Sequence, residues 1–274
     1  MLICAVGDLA LDVHVAAPTG LHPDDDAPSS IRLAPGGQGA NVATWVTHLG
    51  GRARLHGPRT TDDVGTLVES RLRHQGVEVV GRRLDTGFPA VVSLVVGGER
   101  TLASDPGDLA WIEDVGTDPT WLRGADWLYL SGYPLLRGAP DPFLRVRHAV
   151  RCRVAVDLSS ASMLRDYGAE RFAGFLDSLD PHTVFATTSE WRLLGLDAAD
   201  VPWDVVLKEG AHGASLHRRG TTEHAASAAS VVVDVTGAGD ALAAGYMLRG
   251  LALATAAAAE CVGQVGAQPP VTGP

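Results

Sequence analysis

The residue type most suggestive of chemistry is a carboxylate at the end of a glycine-rich turn. The turn runs Asp234-Val-Thr-Gly-Ala-Gly-Asp240, and an apolar helical pattern starts near Ala241. The free N–H groups and the positive dipole end at such a helix start bind anions, phosphate included. A carboxylate there would repel phosphate, unless it accepts the proton of a hydroxyl that attacks phosphorus. The turn therefore predicts phosphoryl transfer with Asp240 as the base, and a simple helix cap is the alternative.

A second glycine-rich segment, Gly36-Gly37-Gln38-Gly39-Ala40-Asn41, opens an earlier helical pattern. Paired glycines let a polar ligand approach the main chain, and the Asn41 amide both donates and accepts hydrogen bonds. We therefore expect Gly36, Gly37 and Asn41 to bind a polar ligand, and a plain loop-to-helix junction is the alternative. The segment after the first strand lacks the Gly-x-Gly-x-x-Gly pattern, which argues against a dinucleotide site.

Asp12 lies shortly after the first apolar segment, residues 2–7, which is typical of a buried parallel strand. In open α/β sheets, ligands bind beyond the carboxyl ends of the strands. The position of Asp12 therefore predicts a ligand-binding carboxylate, and an ordinary surface aspartate is the alternative.

Apolar strand patterns alternate with helical patterns along most of the chain. This alternation predicts an α/β fold with a mostly parallel sheet and helices on both faces. Two segments, 11–34 and 88–104, contain strand patterns with no helix between them, and a glycine turn at Gly97-Gly98 divides the second. We expect these two segments to form a small separate sheet. Because no linker composition interrupts the chain, a single domain over 1–274 is expected.

The composition argues against several classes of function. The formal net charge is −10, from 22 basic and 32 acidic residues, so nonspecific binding of nucleic acid or of an anionic membrane is not expected. Lys208 is the one lysine and lies outside a P-loop pattern. The apolar segment 241–267 contains Arg249 and Glu260, which favours buried helices over a membrane span. The amino end carries no secretory pattern, so we expect a cytoplasmic protein.

Taken in this order and at these separations, the motifs resemble those of the ribokinase/PfkB family of carbohydrate kinases. Segment 36–41 is similar to the amino-terminal signature of the family, and segment 234–240 to its carboxyl-terminal signature. A Gly210-x-x-Gly213 turn after a strand also matches. The resemblance covers essentially the whole chain. It implies a ribokinase-like three-layer α/β/α sandwich, with the small sheet as a lid.

The resemblance also implies ATP-dependent phosphorylation of a hydroxyl on a sugar or sugar-like molecule. The closing lid would exclude water, which otherwise competes as the acceptor. The implied roles are catalysis by Asp240 with an anion hole of Gly237, Ala238, Gly239 and Asp240 amides, substrate binding by Asp12, Gly36, Gly37 and Asn41, and nucleotide binding by Lys208, Gly210, Gly213 and Thr236.

Metal ions follow from the same resemblance. Mg²⁺ would accompany ATP, and Glu190 would hold it through water, with Thr187 in place of the usual asparagine of the family's Asn-x-x-Glu motif. Some members use a monovalent cation, and Asp234 with Thr236 would suit K⁺. Ala10 replaces an asparagine that ribokinase-like members carry, which argues against ribose as the substrate.

Three further expectations remain open from the sequence. A nucleoside kinase of the same family is one alternative, although the lid segments contain a single aromatic residue, Phe88. A catalytically weak protein that binds a sugar or a nucleotide is another. The exposed edges of the lid sheet would also allow two chains to pair as a homodimer.

Overall fold

The computed structural model describes residues 1–18, 20–21, 24–97 and 99–270, except for the side chain of Arg100. The predicted turn residue Gly98 lies outside this range. The strands are β1 Leu2–Val6, β2 Ala10–Ala17, β3 Ser30–Gly36, β4 Arg52–His56, β5 Val77–Val80, β6 Ala90–Val96, β7 Glu99–Asp105, β8 Trp127–Ser131, β9 Arg153–Asp157, β10 Thr183–Thr187, β11 Asp204–Lys208, β12 Ala214–Arg218 and β13 Thr221–Ala225. The helices are α1 Gln38–His48, α2 Asp63–His74, α3 Trp111–Asp114, α4 Gly132–Arg137, α5 Asp141–Ala149, α6 Ala161–Tyr167, α7 Ala169–Leu179, α8 Thr188–Leu194, α9 Ala238–Arg249 and α10 Leu251–Val262.

Within the described residues, nine strands form the central sheet, in the order β13-β12-β11-β10-β9-β8-β1-β4-β5. The neighbours from β11 to β5 are parallel, and β12 and β13 add an antiparallel edge. The predicted mostly parallel sheet is confirmed. Strand β13 and the short helices α3, α4 and α6 were not predicted, because none of them carries a long periodic pattern.

The side chains of β1 show why helices cover both faces of this sheet. Ile3 and Ala5 pack into one core with α1, α2, α9 and α10. Leu2, Cys4 and Val6 pack into a second core with α3 to α8. A parallel strand buried on both sides needs apolar residues at every position, and all five β1 residues are buried. The three-layer α/β/α sandwich is therefore confirmed.

The second, four-stranded sheet has the order β3-β2-β6-β7 and is built from the two segments that the sequence singled out. Its strands β2 and β6 are parallel, and its other pairs are antiparallel. We call this sheet the lid. Ile31, Leu33 and Val92 share one face of it and are exposed. Pairing of two chains through the lid stays a prediction.

No helix in the described part of the chain combines the length and the apolar character that crossing a bilayer requires.

Backbone contact between β1 and α1 sets the position of the first glycine motif. A Cβ atom added to Gly39 would lie 2.7 Å from the Cα of Gly7 and 2.8 Å from its carbonyl carbon. The backbone at Gly7 or Gly39 cannot shift without moving β1 or α1. The start of α1 can therefore pack this close to the end of β1 only if residue 39 is glycine.

We expect Gly39→Ala to destabilise the protein by roughly 1–3 kcal/mol through overpacking against the backbone of Gly7. Gly174→Ala in α7 is the matched control, since an added Cβ meets nothing within 4 Å there. That control should stabilise the helix by about 0.5–1 kcal/mol. Urea unfolding of both variants measures the two changes, and a Gly39→Ala variant as stable as the parent would contradict the packing argument.

Candidate active site

A cavity of about 740 Å³ lies where the carboxyl ends of the parallel strands meet the lid. One end of it, here called the lid end, is lined by Asp8, Asp12, Gln38, Tyr133 and Arg137. The other, here called the loop end, is lined by Gly210, Gly213, Val232, Thr236 and Ala258. Glu190, Lys208 and the turn 237–240 line the space between the two ends.

Asp240 is the third residue of α9, and its side chain is buried at this cavity. Its Oδ2 accepts a hydrogen bond of 2.8 Å from Nδ2 of Asn41 on α1. Burial raises the pKa of Asp240 to about 7, against the hydrogen bonds from Asn41 and Gln38, which lower it. A carboxyl group with a pKa near neutrality is suited to proton transfer at physiological pH. Asp240, Asn41 and Asp12 thus line the same cavity.

The glycine turn ahead of α9 offers two backbone donors to the cavity. Gly237 caps the helix with a φ of 80°, a left-handed conformation that favours glycine. The amides of Ala238 and Asp240 donate within the turn, to Val235 O at 3.3 Å and to Gly237 O at 3.0 Å. Those of Gly237 and Gly239 have no acceptor among the described residues. Of the four amides predicted to form an anion hole, these two are free to donate to a ligand.

Gln38 is a second residue of α1 that forms a hydrogen bond with Asp240. Its Oε1 accepts hydrogen bonds of 2.5 Å from Ser131 and from Ser159, at the ends of β8 and β9. Its amide nitrogen is thereby directed to Asp240, whose pKa the resulting hydrogen bond lowers. Sequence reasoning treated Gln38 as a variable position inside the glycine motif and did not anticipate this role.

Lys208 stands at the end of β11 and forms an ion pair with a buried aspartate. Its Nζ lies 2.8 and 2.9 Å from the two carboxylate oxygens of Asp157, at the end of β9. Burial acts to lower the pKa of Lys208, but the neighbouring carboxylate of Asp157 keeps it above its ordinary value. A Cβ atom added to Gly239 would lie 3.4 Å from Nζ, so the ammonium group lies against the glycine turn. Lys208 therefore provides a fixed positive charge beside Asp240.

The predicted substrate-binding residues lie at the lid end with different roles. Asp12 and Gly37 line the cavity. Gly36 instead makes room for Asp12, since a Cβ atom on Gly36 would lie 2.1–2.2 Å from the atoms of the Asp12 carboxyl group. Gly37 has a φ of 93° and lies against the backbone of Asp8, so it too needs to be glycine.

The loop end contains the residues predicted to bind a nucleotide. Gly210 and Gly213 form a 3₁₀ turn between β11 and β12, with positive φ angles of 59° and 99°. Thr236 lines the cavity beside the glycine turn. Asp234, predicted to bind a monovalent cation, accepts hydrogen bonds from the backbone of Thr236 at 2.9 Å and of Gly266 at 3.0 Å. Its carboxylate thus fastens the glycine turn to the segment that follows α10.

Glu190 and Thr187 form a capping box at the start of α8. The Glu190 carboxylate accepts the backbone N–H of Thr187 at 2.7 Å, and Thr187 Oγ1 accepts that of Glu190 at 3.2 Å. Both side chains line the cavity. Thr187, which stands in place of the usual asparagine of the motif, therefore caps α8.

Sequence reasoning missed two further residues at the lid end, Asp8 and Arg137, and Tyr133 lies there beside them. Asp8 directly follows β1, so the rule for strand ends that selected Asp12 applies to it equally. Tyr133 and Arg137 belong to α4, a helix of six residues with no periodic signal in the sequence. Their place in the cavity depends on β8 lying next to β1, which only the topology reveals.

Comparison with known proteins finds similarity over nearly the whole chain. The sequence pattern described as pfkB family carbohydrate kinase matches residues 1–272. The aminoimidazole riboside kinase of Salmonella typhimurium is 28% identical over 239 residues, which cover 80% of this chain and 74% of that protein. The fructokinase of Escherichia coli is 29% identical over 275 residues, with coverage of 91% and 84%. An uncharacterized sugar kinase from Pyrococcus horikoshii, solved in complex with ATP, has a TM-score of 0.79 at 20% identity, with coverage of 97% and 95%.

We expect Asp157→Ala to destabilise the protein by roughly 3–5 kcal/mol, because it leaves the buried ammonium group of Lys208 without a partner. Lys208→Met should have a comparable cost, since it leaves the Asp157 carboxylate unpaired. The double variant should lose less than the sum of the two, as expected for contacting groups. Urea unfolding of all three completes the double-mutant cycle, and additive losses would show that the pair is not coupled.

Proposed function

Because the chain belongs to the pfkB family of carbohydrate kinases, we propose that it transfers the terminal phosphoryl group of ATP to a hydroxyl of a sugar or sugar-like molecule, with Asp240 as the base. The observation that carries this proposal is the position of Asp240. Its buried carboxyl group shares one cavity with the free amides of Gly237 and Gly239. A proton acceptor and donors for an anion thus meet at one point.

The acceptor binds at the lid end, and its reacting hydroxyl points to Asp240. Since Nδ2 of Asn41 is taken by Asp240, the buried Oδ1 of Asn41 has no donor among the described residues. A hydroxyl of the acceptor supplies the missing donor, and that bond aligns the substrate. Asp240 takes the proton as the hydroxyl oxygen forms its bond to the terminal phosphorus. The bond from that phosphorus to the bridging oxygen breaks, and ADP leaves.

Fixed positive groups stabilise the charge on the phosphoryl group as it moves. The amides of Gly237 and Gly239 donate to its oxygens at the positive end of α9. The ammonium group of Lys208 adds a charge that Asp157 holds in place. Because these groups are preorganised in a partly enclosed cavity, little reorganisation is needed during the reaction. Closure of the lid excludes water as a competing acceptor.

ATP occupies the loop end, where Gly210, Gly213 and Thr236 surround its phosphates. The carboxylate of Glu190 in the cavity wall fits a magnesium ion that enters with the nucleotide. In phosphate sites Mg²⁺ needs one or two protein carboxylates besides the phosphates. Glu190 would hold the ion through water. Bound Mg²⁺ neutralises phosphate charge.

A nucleoside is the second candidate acceptor, and Tyr133 is the observation that favours it. Phe88, the aromatic residue that the sequence placed in the lid segments, is packed in the core. Tyr133 lines the lid end and offers a ring on which a base could stack. The relative named as an aminoimidazole riboside kinase is in keeping with such an acceptor. Rates of ADP release with sugars and with nucleosides decide between the two.

We expect Asp240→Asn to lower kcat by roughly 10²–10⁴-fold, because the amide cannot accept the hydroxyl proton. ATP binding, measured by calorimetry, should stay within a few-fold of the parent. Asp177→Asn, an exposed carboxyl on α7, is the control for loss of a negative charge and should keep full activity. A variant of Asp240 with near-normal turnover would remove this residue from its proposed role.

The raised pKa of Asp240 predicts an acid limb in the pH profile. The deprotonated carboxylate is the active form, so kcat/KM should fall as the pH drops through about 7. Gln38→Met removes a hydrogen bond that lowers this pKa, so the limb should move to higher pH. Initial rates between pH 5 and pH 9 test both statements. If the acid limb of the Gln38 variant lies at the same pH as that of the parent, Gln38 does not influence the pKa of the base.

A further inference from the structure

Asp8 and Arg137 form a pair of charged side chains on the cavity wall that the proposed reaction does not use. Asp8 follows β1, and Arg137 ends α4, which begins directly after the neighbouring strand β8. Nη1 of Arg137 lies 3.6 Å from Oδ1 of Asp8. The side chain of Arg137 keeps 27% of its surface exposed and that of Asp8 keeps 23%, and both line the lid end. They therefore face the space in which the acceptor binds.

The hydrogen-bonding capacity of this pair is unused. At 3.6 Å the contact is an ion pair and too long for a hydrogen bond. Within the described residues, neither the carboxylate of Asp8 nor the guanidinium group of Arg137 makes a hydrogen bond. Tyr133 lies beneath the guanidinium group, whose central carbon is 5.6 Å from the ring centre. A carboxylate and a guanidinium group held side by side offer acceptors next to donors.

The surrounding charges determine which acceptor fits this arrangement. Within the described residues, the carboxylates of Asp8, Asp12, Asp105 and Asp240 line the lid end and the adjoining glycine turn, and Arg137 is the one guanidinium group among them. A carboxylate or phosphate on the acceptor would face more negative than positive charge, and like charges at such distances repel. A pair of hydroxyls meets no such penalty, because one donates to Asp8 while the other accepts from Arg137.

We propose that Asp8 and Arg137 are the residues that determine acceptor specificity, binding two neighbouring hydroxyls of an uncharged polyhydroxy acceptor at the end remote from the reacting hydroxyl. The inference rests on the proposed kinase function and specifies its substrate class. Sugar acids and sugar phosphates are excluded as good acceptors by the carboxylates of the lid end. Asp8 and Arg137 touch the acceptor away from the reacting atoms, so their loss acts mainly on KM.

The protonation of Asp8 gives the pair a pH signature of its own. Burial raises the pKa of Asp8 to about 6, and Arg137 limits the rise. Among the described residues, the ionisable groups that line the lid end and the adjoining turn are Arg137 and Tyr133 of α4, Asp12 of β2, Asp105 of β7 and Asp240 of α9. Burial raises the pKa of Tyr133 to about 12, so that ring stays neutral. Below pH 6 the protonated Asp8 no longer attracts Arg137 or accepts from a hydroxyl as a carboxylate, so KM for the acceptor rises.

The test is a panel of acceptors on the full chain with ATP and Mg²⁺, read by ADP release. The panel contains neutral hexoses and pentoses, the corresponding aldonic acids, sugar phosphates and nucleosides. The variants are Asp8→Asn and Arg137→Gln, with Asp177→Asn and Arg151→Gln as exposed controls of matched charge change. Circular dichroism and ATP binding by calorimetry establish that each variant is folded.

We expect the parent to prefer a neutral acceptor over its acid by at least tenfold in kcat/KM. Each site variant should raise KM for that acceptor by roughly 10- to 100-fold, the cost of a hydrogen bond to a charged group, with kcat changed by less than about threefold. Asp8→Asn should also reduce the ratio of kcat/KM between the neutral acceptor and its acid. In this variant the KM for the neutral acceptor should no longer rise below pH 6. The exposed controls should behave as the parent.

Two results overturn the inference while leaving the kinase function intact. One is a parent enzyme that prefers a sugar acid or a sugar phosphate. The other is a pair of folded site variants with unchanged KM for the best acceptor. Failure of the proposed function has a different signature, in which no acceptor stimulates ADP release and Asp240→Asn changes nothing.

Discussion

The contact between Asp240 and Asn41 is the interaction on which the arrangement of the site depends. It joins the first turns of two helices, α1 and α9, that are 199 residues apart in the chain. Burial would keep an isolated carboxyl group protonated, and the amides of Asn41 and Gln38 offset part of that cost. The result is a group with a pKa near neutrality, which is the range in which a general base works best.

The sheet topology explains why so many polar groups meet at this one point. Strands β1, β8, β9, β10 and β11 are consecutive neighbours and end at the same edge of the sheet. Asp8, Ser131, Asp157, Thr187 and Lys208 lie at or just beyond these ends. The middle positions of these strands can pack in the two cores because the polar groups of the site are confined to the carboxyl ends, where the cavity and the lid replace the packed core.

The division of charge within the cavity gives the two ends different tasks. Lys208 is held by Asp157 and lies against the glycine turn that is proposed to bind the phosphoryl group. Among the described residues of the lid end, carboxylates outnumber the guanidinium group of Arg137, and the proposed preference for hydroxyl groups over anions rests on this difference. An acidic protein can in this way bind a highly charged nucleotide, because the local field at the helix start differs from the net charge.

The sequence by itself determined the fold class and the lid segments, and it selected Asp240 as the proposed base. Each of these follows from a local pattern. Strand and helix periodicity predicts the fold class, strands with no helix between them predict the lid, and a carboxylate that ends a glycine turn before a helix indicates the base. The tertiary structure decided which side chains surround that base. No local pattern marks the roles of Gln38, Asp157 and Arg137, because these roles arise from contacts between distant residues, as between Gln38 and Ser159, which are 121 positions apart. Such contacts depend on the order of the strands and the packing of α1 against α9, which local patterns do not encode.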